Sequence, residues 1–307
     1  MRTPTHTSLA TSLVLLVGFG AAAHAATTYT YTYGYSWSVP SGCSGAWKPE
    51  CVMSGGSRTL LSSTPGAPTD PNLPPANISN TATGWGNTGG TSTNNNGAAQ
   101  TLQKGEVQAW SGTGGYGLGI RNADYASSSY SGTDTDASEG SNPEHAVDND
   151  GRYDSMLYSL SASVALNKLS LSWSSNDSDL IVLAYTGSDP FSTATKLNGL
   201  TYAQLIGAGW TLIGNYSDVP VGSAGITINT AGVSSSQWLI GAANPLVSGG
   251  TNDSKKDYVK LASLSGTITT KYTKPDIPPP AVPEPGTLAM LGLGALLMLR
   301  TRARKPV

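Results

Sequence analysis

The sequence predicts an all-β protein: a single β-sandwich, jelly-roll-like, with long loops, plus a short C-terminal transmembrane helix. Three observations carry that expectation. Charged residues make up only 12% of the 307, while glycine alone numbers 37; long amphipathic helices need more Leu, Glu and Lys than this. Short runs alternating apolar and polar residues recur, separated by Gly, Asn, Asp and Ser, the pattern of half-buried strands joined by turns. The chain closes on one apolar run followed by a knot of arginines.

The elements follow in order. Residues 1–25 read as a secretory signal peptide: Arg2 precedes the apolar stretch LATSLVLLVGFG, and Ala23 and Ala25 supply the small residues of a cleavage site. The stretch is too short for a stable span; a buried N-terminal helix is the competing reading. Export implies signal peptidase and the secretion machinery as partners.

The β-domain is expected over 26–272. TTYTYTYGYSWSV (27–39) puts Tyr29, Tyr31, Tyr33, Tyr35, Trp37 and Val39 on one parity. That is a strand with one aromatic face, turned to the core or offered to sugars as a stacking platform. Cys43 and Cys51 predict a disulfide in an oxidising compartment; the alternative, a metal site, has only two thiolates and no histidine nearby. Residues 62–101, rich in Pro, Thr, Asn and Gly, are expected as a low-complexity insertion with no core of its own.

Strands are expected again at EVQAW (106–110), YGLGI (116–120), SVALNKLSLSW (163–173) and DLIVLAY (179–185), then at WTLIGNY (210–216), AGITINT (224–230), QWLIGAA (237–243) and DYVKLASLSGTITTKY (257–272). Leu169, Leu171 and Trp173 alternate as one face. DLIVLAY is continuously apolar, as in a strand buried on both sides. GLTYAQLIGAG (199–209) is the best short-helix candidate.

Charge bounds the partners. Arg2, Arg300, Arg302, Arg304 and Lys305 lie in the two ends, so the body keeps 12 of the 17 bases against all 19 acids. An acidic body argues against nucleic acid, where Lys and Arg must replace counterions. The acids crowd between Asp124 and Asp154. HAVDNDGRYD offers Asp148, Asn149, Asp150 and Asp154 as oxygen ligands for calcium, with Gly151 permitting a sharp turn. Asp177 and Asp179 could add to them. Solvated acidic loops, with Asp148 and Asn149 bonding backbone turns, are the other reading.

Catalytic constellations are scarce. His6 and His24 leave with the signal peptide, so His145 is the body's one histidine. That excludes a multi-histidine zinc site. No G-x-S-x-G elbow and no phosphate-cradling glycine motif appears. Paired carboxylates could still serve glycoside hydrolysis, but nothing singles out a pair. The expectation is a protein that is not an enzyme. Its 14 tyrosines and 7 tryptophans against 2 phenylalanines suit wet surfaces and sugar faces. Trp47 and Trp85 lie in loop-like contexts and are the expected ligand contacts; Trp110, Trp173, Trp210 and Trp238 are expected in the core.

Residues 273–285, TKPDIPPPAVPEP, form a proline-rich stalk favouring extended backbone. Leu288 to Leu299 then give 12 apolar residues, about 18 Å of helix against a hydrocarbon core of about 30 Å. A transmembrane helix is expected at about 286–300. Arg300, Arg302, Arg304 and Lys305 bias the tail to the cytoplasm, which leaves the body outside a transient anchor in the inner membrane.

Pro283-Glu284-Pro285, the glycine-punctuated helix and the arginine cluster, together 282–305, resemble the PEP-CTERM sorting signal of bacterial envelope proteins. The resemblance implies an exosortase as partner, cutting near Pro283, Glu284 and Pro285. The segments AWSGTGGYGLGIRN (109–122), NPEHAVDNDGRYDSML (142–157) and LSLSWSSNDSDLIVLAY (169–185) are similar to a group of exosortase-dependent surface proteins, which implies surface placement and no catalytic residues. The expected function is that of an exported, non-enzymatic cell-envelope or extracellular-matrix protein associated with exopolysaccharide. The alternative is a calcium-dependent carbohydrate-binding module; a glycoside hydrolase ranks behind both.

Overall fold

The computed structural model describes residues 26–89, 100–125, 139, 141–275 and 285–302. The signal segment with Ala23 and Ala25, Pro283, Glu284, Arg304, Lys305 and most of the stalk lie outside the described residues, as do the side chains of Pro285 and Arg302. Tyr29–Tyr272 forms one compact unit, and the C-terminal helix belongs to another.

The body is built from strands. In chain order they are β1 (Thr27–Ser38), β2 (Cys51–Val52), β3 (Ser54–Gly55), β4 (Thr59–Ser63), β5 (Asn80–Gly89), β6 (Thr101–Lys104), β7 (Glu106–Gly112) and β8 (Gly115–Arg121). Then come β9 (Val147–Asp148), β10 (Asp154–Asn176), β11 (Leu180–Tyr185), β12 (Trp210–Tyr216), β13 (Ile226–Thr227), β14 (Ser235–Ala242) and β15 (Asp257–Lys274). A one-turn helix α1 (Thr193–Lys196) interrupts them, and α2 (Pro285–Arg302) follows.

The 23-residue β10 organises the sheet. Its first half lies between β5 and β14, and β11 and β12 extend that side. Register slips between Ser159 and Val164, and from Ala165 onward β10 pairs with β15 instead. β15 in turn meets β8, β9 and β1. All strands therefore join one hydrogen-bonded network whose two halves share a core. Met156, Tyr158, Val182, Trp238 and Ile240 from one half cluster with Leu118, Ile120, Leu169, Val259 and Leu261 from the other.

The run DLIVLAY is buried along its length, as its composition predicts. Leu180, Val182 and Ala184 face the shared core. Ile181, Leu183 and Tyr185 face a second cluster, roofed by Leu197, Tyr202, Leu205 and Trp210. That roof is where a short helix was expected. The chain makes two 3-10 turns there instead, Tyr202–Gln204 and Ile206–Ala208, and Gly209 at φ 103° ends them. The turns bury Tyr202 and Leu205 without a continuous helical face.

Segment 62–101 is not the coreless excursion its composition predicts. Asn80–Gly89 is β5, paired with β10 from Asp154↔Gly86 to Leu160↔Asn80 and flanked also by β2 and β6. The preceding loop is tied to β1 by its aromatic ladder. Tyr31 donates to the Pro68 carbonyl, Tyr33 to Asp70, Tyr35 to the Pro75 carbonyl and Trp37 to the Ile78 carbonyl. The β1 rings thus face the core with their polar tips satisfied, and are not a sugar platform. The expected disulfide, Cys43–Cys51, is present.

Candidate functional site

The outer face of the β7–β8–β15–β10 region carries a row of rings and cations. Trp110 lies within β7 on the parity opposite to Val107 and Ala109, which enter the core. Lys260 stands between the core residues Val259 and Leu261 and points the other way. Trp173 shares its nominal parity with Leu169 and Leu171, and was expected inside with them. A β-bulge reverses it: Leu171 pairs with Leu261 but Trp173 with Lys260, so Ser172 is the extra residue and the next side chain emerges on the outer face.

The rings close on Lys260. Its ammonium lies 4.7 Å from the Trp110 ring centre and 4.4 Å from that of Trp173, and 3.2 Å from Nε2 of His145. The imidazole is 4.6 Å from Trp110 and 5.9 Å from Trp173, centre to centre. Two glycines of YGLGI clear the floor. A methyl group at Gly119 would stand 1.8 Å from the His145 carbonyl oxygen, and one at Gly117 would stand 2.0 Å from Ser172 Oγ.

Trp47 extends the row, edge-on to Trp110 at 5.1 Å. The Arg121 guanidinium lies between it and Tyr125, 4.9 Å and 4.1 Å from the two ring centres, and also pairs with Glu106. Trp47 sits here because its loop is pinned at both ends. The disulfide closes it, and Lys48 exchanges backbone hydrogen bonds with Val107 at 2.9 and 2.7 Å.

Burial lowers the Lys260 amine to about 8. Burial, then the neighbouring ammonium, lowers His145 to about 4. At neutral pH a charged lysine donates to a neutral imidazole, and no carboxylate pairs with Lys260 among the described residues. Trp47, Trp110 and Trp173 are half-buried. Trp85, the other expected ligand contact, is not a loop residue at all. It lies on β5, 3% exposed in the second apolar cluster, with its N–H bonded to Thr83.

Of the four residues expected to hold calcium, Asp148 and Asp154 are close enough for the Asp154 carboxylate to act on Asp148, while Asp150 and Asn149 bond to other partners. Asp148 is buried and accepts from the Asp150 N–H at 3.1 Å. Asp150 turns away to Lys256 and the Tyr258 hydroxyl, 2.5 and 2.6 Å. Asp154 is buried and accepts from the Asn122 amide at 3.2 Å. Asn149 bonds elsewhere, bridging backbone and side chain of Asp257 at 2.8 and 2.6 Å. Asp148 ends β9, Asp154 opens β10, and Gly151 at φ 71° turns the chain between them. Burial pushes both the Asp148 and Asp154 carboxyls well up, and neighbouring carboxylates add to it.

A different acidic triad does converge. Carboxylate oxygens of Asp177, Asp179 and Asp257 lie within 4.8 Å of one another, all buried. Protein donors meet them: Lys255 holds Asp177 at 2.9 Å, the Asp218 N–H meets Asp179 at 2.7 Å, and the Asp179 N–H meets Asp257 at 2.6 Å. The triad works as an internal brace between β10, β11 and β15.

The C-terminal unit holds α2, which starts at Pro285, a residue suited to a first helical turn. Met290, Leu291, Leu293, Leu296, Leu297, Met298 and Leu299 are all exposed on it. No helix among the described residues is long and apolar enough to cross a membrane. Arg300 lies in the last turns of α2.

No curated protein and no solved structure matches the chain. Residues 281–305 match the family model of the PEP-CTERM protein-sorting motif. A proline-initiated apolar helix ending in arginines coincides with that match, and the chain accordingly carries a PEP-CTERM protein-sorting motif at residues 281–305.

Proposed function

We propose that this is an exported, non-enzymatic protein of the cell envelope or extracellular matrix, delivered by an exosortase and associated there with exopolysaccharide. The observation that carries the reading is the sorting motif at 281–305. Its apolar run, Leu288 to Leu299 within α2, is about 18 Å long and suits a temporary hold in the inner membrane more than a permanent one. The disulfide supports an oxidising destination.

The non-enzymatic part is supported by how the titratable groups are spent. His145 is wedged between two tryptophans and a lysine. The buried aspartates of the triad are met by backbone donors and Lys255. Neither arrangement leaves a base facing a substrate cleft.

Replacing Pro283, Glu284 and Pro285 with alanine tests the sorting. The variant is expected to stay in the membrane at precursor mass while wild type is cut near the motif. Equal mass and location for both would refute exosortase processing.

A further inference from the structure

We infer that the row Tyr125–Arg121–Trp47–Trp110–Lys260–Trp173 is a binding face for a polysaccharide chain. The inference rests on the exopolysaccharide arm of the proposed function and names the surface that would serve it.

The seven tryptophans divide into two groups. Trp37, Trp85, Trp210 and Trp238 are buried, and each donates its indole N–H to an acceptor inside the protein, at 2.8, 3.0, 2.7 and 3.0 Å. Trp47, Trp110 and Trp173 are half-buried, and none of their N–H groups finds an acceptor among the described residues. A sealed indole needs an acceptor inside the protein, whereas one at a wet surface keeps its N–H available to a ligand. Here three half-buried indoles, whose N–H groups are not sealed and so reach solvent, stand in one contiguous row, and a bulge brings Trp173 into it.

Polarity selects the occupant. The row presents indole N–H groups and the edge of a guanidinium, with the Lys260 ammonium buried behind the rings as a fixed positive charge, and Glu106 is the acid paired to it among the described residues. A donor-rich aromatic surface fits a ligand that has apolar ring faces and many oxygen acceptors. Pyranose rings have both: their C–H faces stack on indoles, and their hydroxyl, ring or carboxylate oxygens accept. The cage around Lys260 keeps Trp110 and Trp173 fixed on either side of the ammonium, so the rings are ordered before a ligand arrives.

The test uses the mature protein as its host exports it, purified with the disulfide intact. Binding of a soluble neutral glucan and of a soluble polyuronate is measured by titration calorimetry. Saturable binding of either is expected, and which one binds separates a neutral from an acidic polysaccharide. Trp47→Ala, which alters a loop residue outside both cores, is expected to weaken it about tenfold. Trp173→Phe keeps a ring, loses the N–H and is expected to weaken it several-fold; Trp85→Phe is expected to leave it unchanged. Failure of both glycans to bind, or binding indifferent to Trp47→Ala and Trp173→Phe, overturns the inference. So does a dimer in sedimentation that these two variants dissolve while no glycan binds, which would make the face a contact with a second copy. Precursor mass in the same cells separates the two readings: normal cleavage without glycan binding removes this inference and leaves the sorting intact.

Discussion

Tyr33 donates its hydroxyl to Oδ2 of Asp70 at 2.9 Å, and both residues are buried. The same oxygen accepts from Thr270 on β15 at 2.5 Å, and Oδ1 accepts the Asn72 N–H at 2.8 Å. One carboxylate thus ties the 64–79 loop to two adjacent strands. Asp70→Ala leaves those donors without an acceptor at once. The expected loss is about 2–3 kcal/mol, a melting midpoint lower by about 4–10 °C. Thermal denaturation followed by circular dichroism measures it, and a shift under a degree would show the loop is held by other contacts.

Asp257 supplies a pH dependence whose sign can be worked out. Burial pushes its carboxyl up to about 7, although the Asp179 N–H and the Asn149 side chain favour the charged form. Asp179 and Asp177, beside it, raise it further. A carboxyl raised above its unfolded value lends stability below about pH 4 and loses it as pH climbs through about 7. His145 has the opposite sign: held neutral with a value near 4, it costs stability as pH falls below its ordinary 6.5. Subtraction separates them. The melting midpoint of wild type minus that of Asp257→Asn should fall between about pH 4 and 7 and level off above that, and a constant difference across this range would contradict the assignment.

Much of the strand content was legible because its signals are local. Tyr31, Tyr33, Tyr35 and Trp37 alternate, and their burial follows that alternation. The sorting motif is equally local, with proline, apolar run and arginines within 25 residues. What stayed hidden depends on distant partners. β5 reads NTATGWGNTG and has no apolar stripe; neighbouring strands bury it, not its own hydrophobicity. The loop before it is fixed by side chains 37 to 41 residues away. Trp173 followed the right pattern to the wrong face, because an inserted residue in a ladder leaves no mark in a period-2 reading. The aromatic row was missed for that reason, although Gly117 and Gly119 in YGLGI hinted at something lying flat on the sheet.

The disulfide links stability to the placement of Trp47. Cys51 pairs with Ala82 on β5, while Lys48 pairs with Val107 on β7, so the short loop bridges both halves of the sheet. Replacing both cysteines with serine should cost about 2–3 kcal/mol in the chain-entropy model. Trp47 should also leave Trp110, exposing indole to solvent. Acrylamide quenching of the folded protein checks the second effect, and unchanged quenching in the double variant would show that backbone pairing alone holds the loop.

Lys260 provides the last test, in the alkaline range. Lys260 is 4% exposed, and its ammonium has rings and an imidazole for neighbours, with no carboxylate paired to it among the described residues. Burial lowers its amine from the ordinary 10.5 to about 8. The folded state therefore releases the proton before the unfolded state does. The penalty for holding the charge is complete below about pH 8 and fades as pH rises toward 10.5. Lys260→Met keeps the stem and removes the charge. The variant is expected to melt at or above the wild-type midpoint at pH 7. Its advantage should narrow between pH 8 and 10 as wild-type Lys260 becomes neutral. A variant much less stable at pH 7 would mean that the two indole faces and His145 more than repay the burial of the ammonium, and that the cage itself holds this corner of the sheet together.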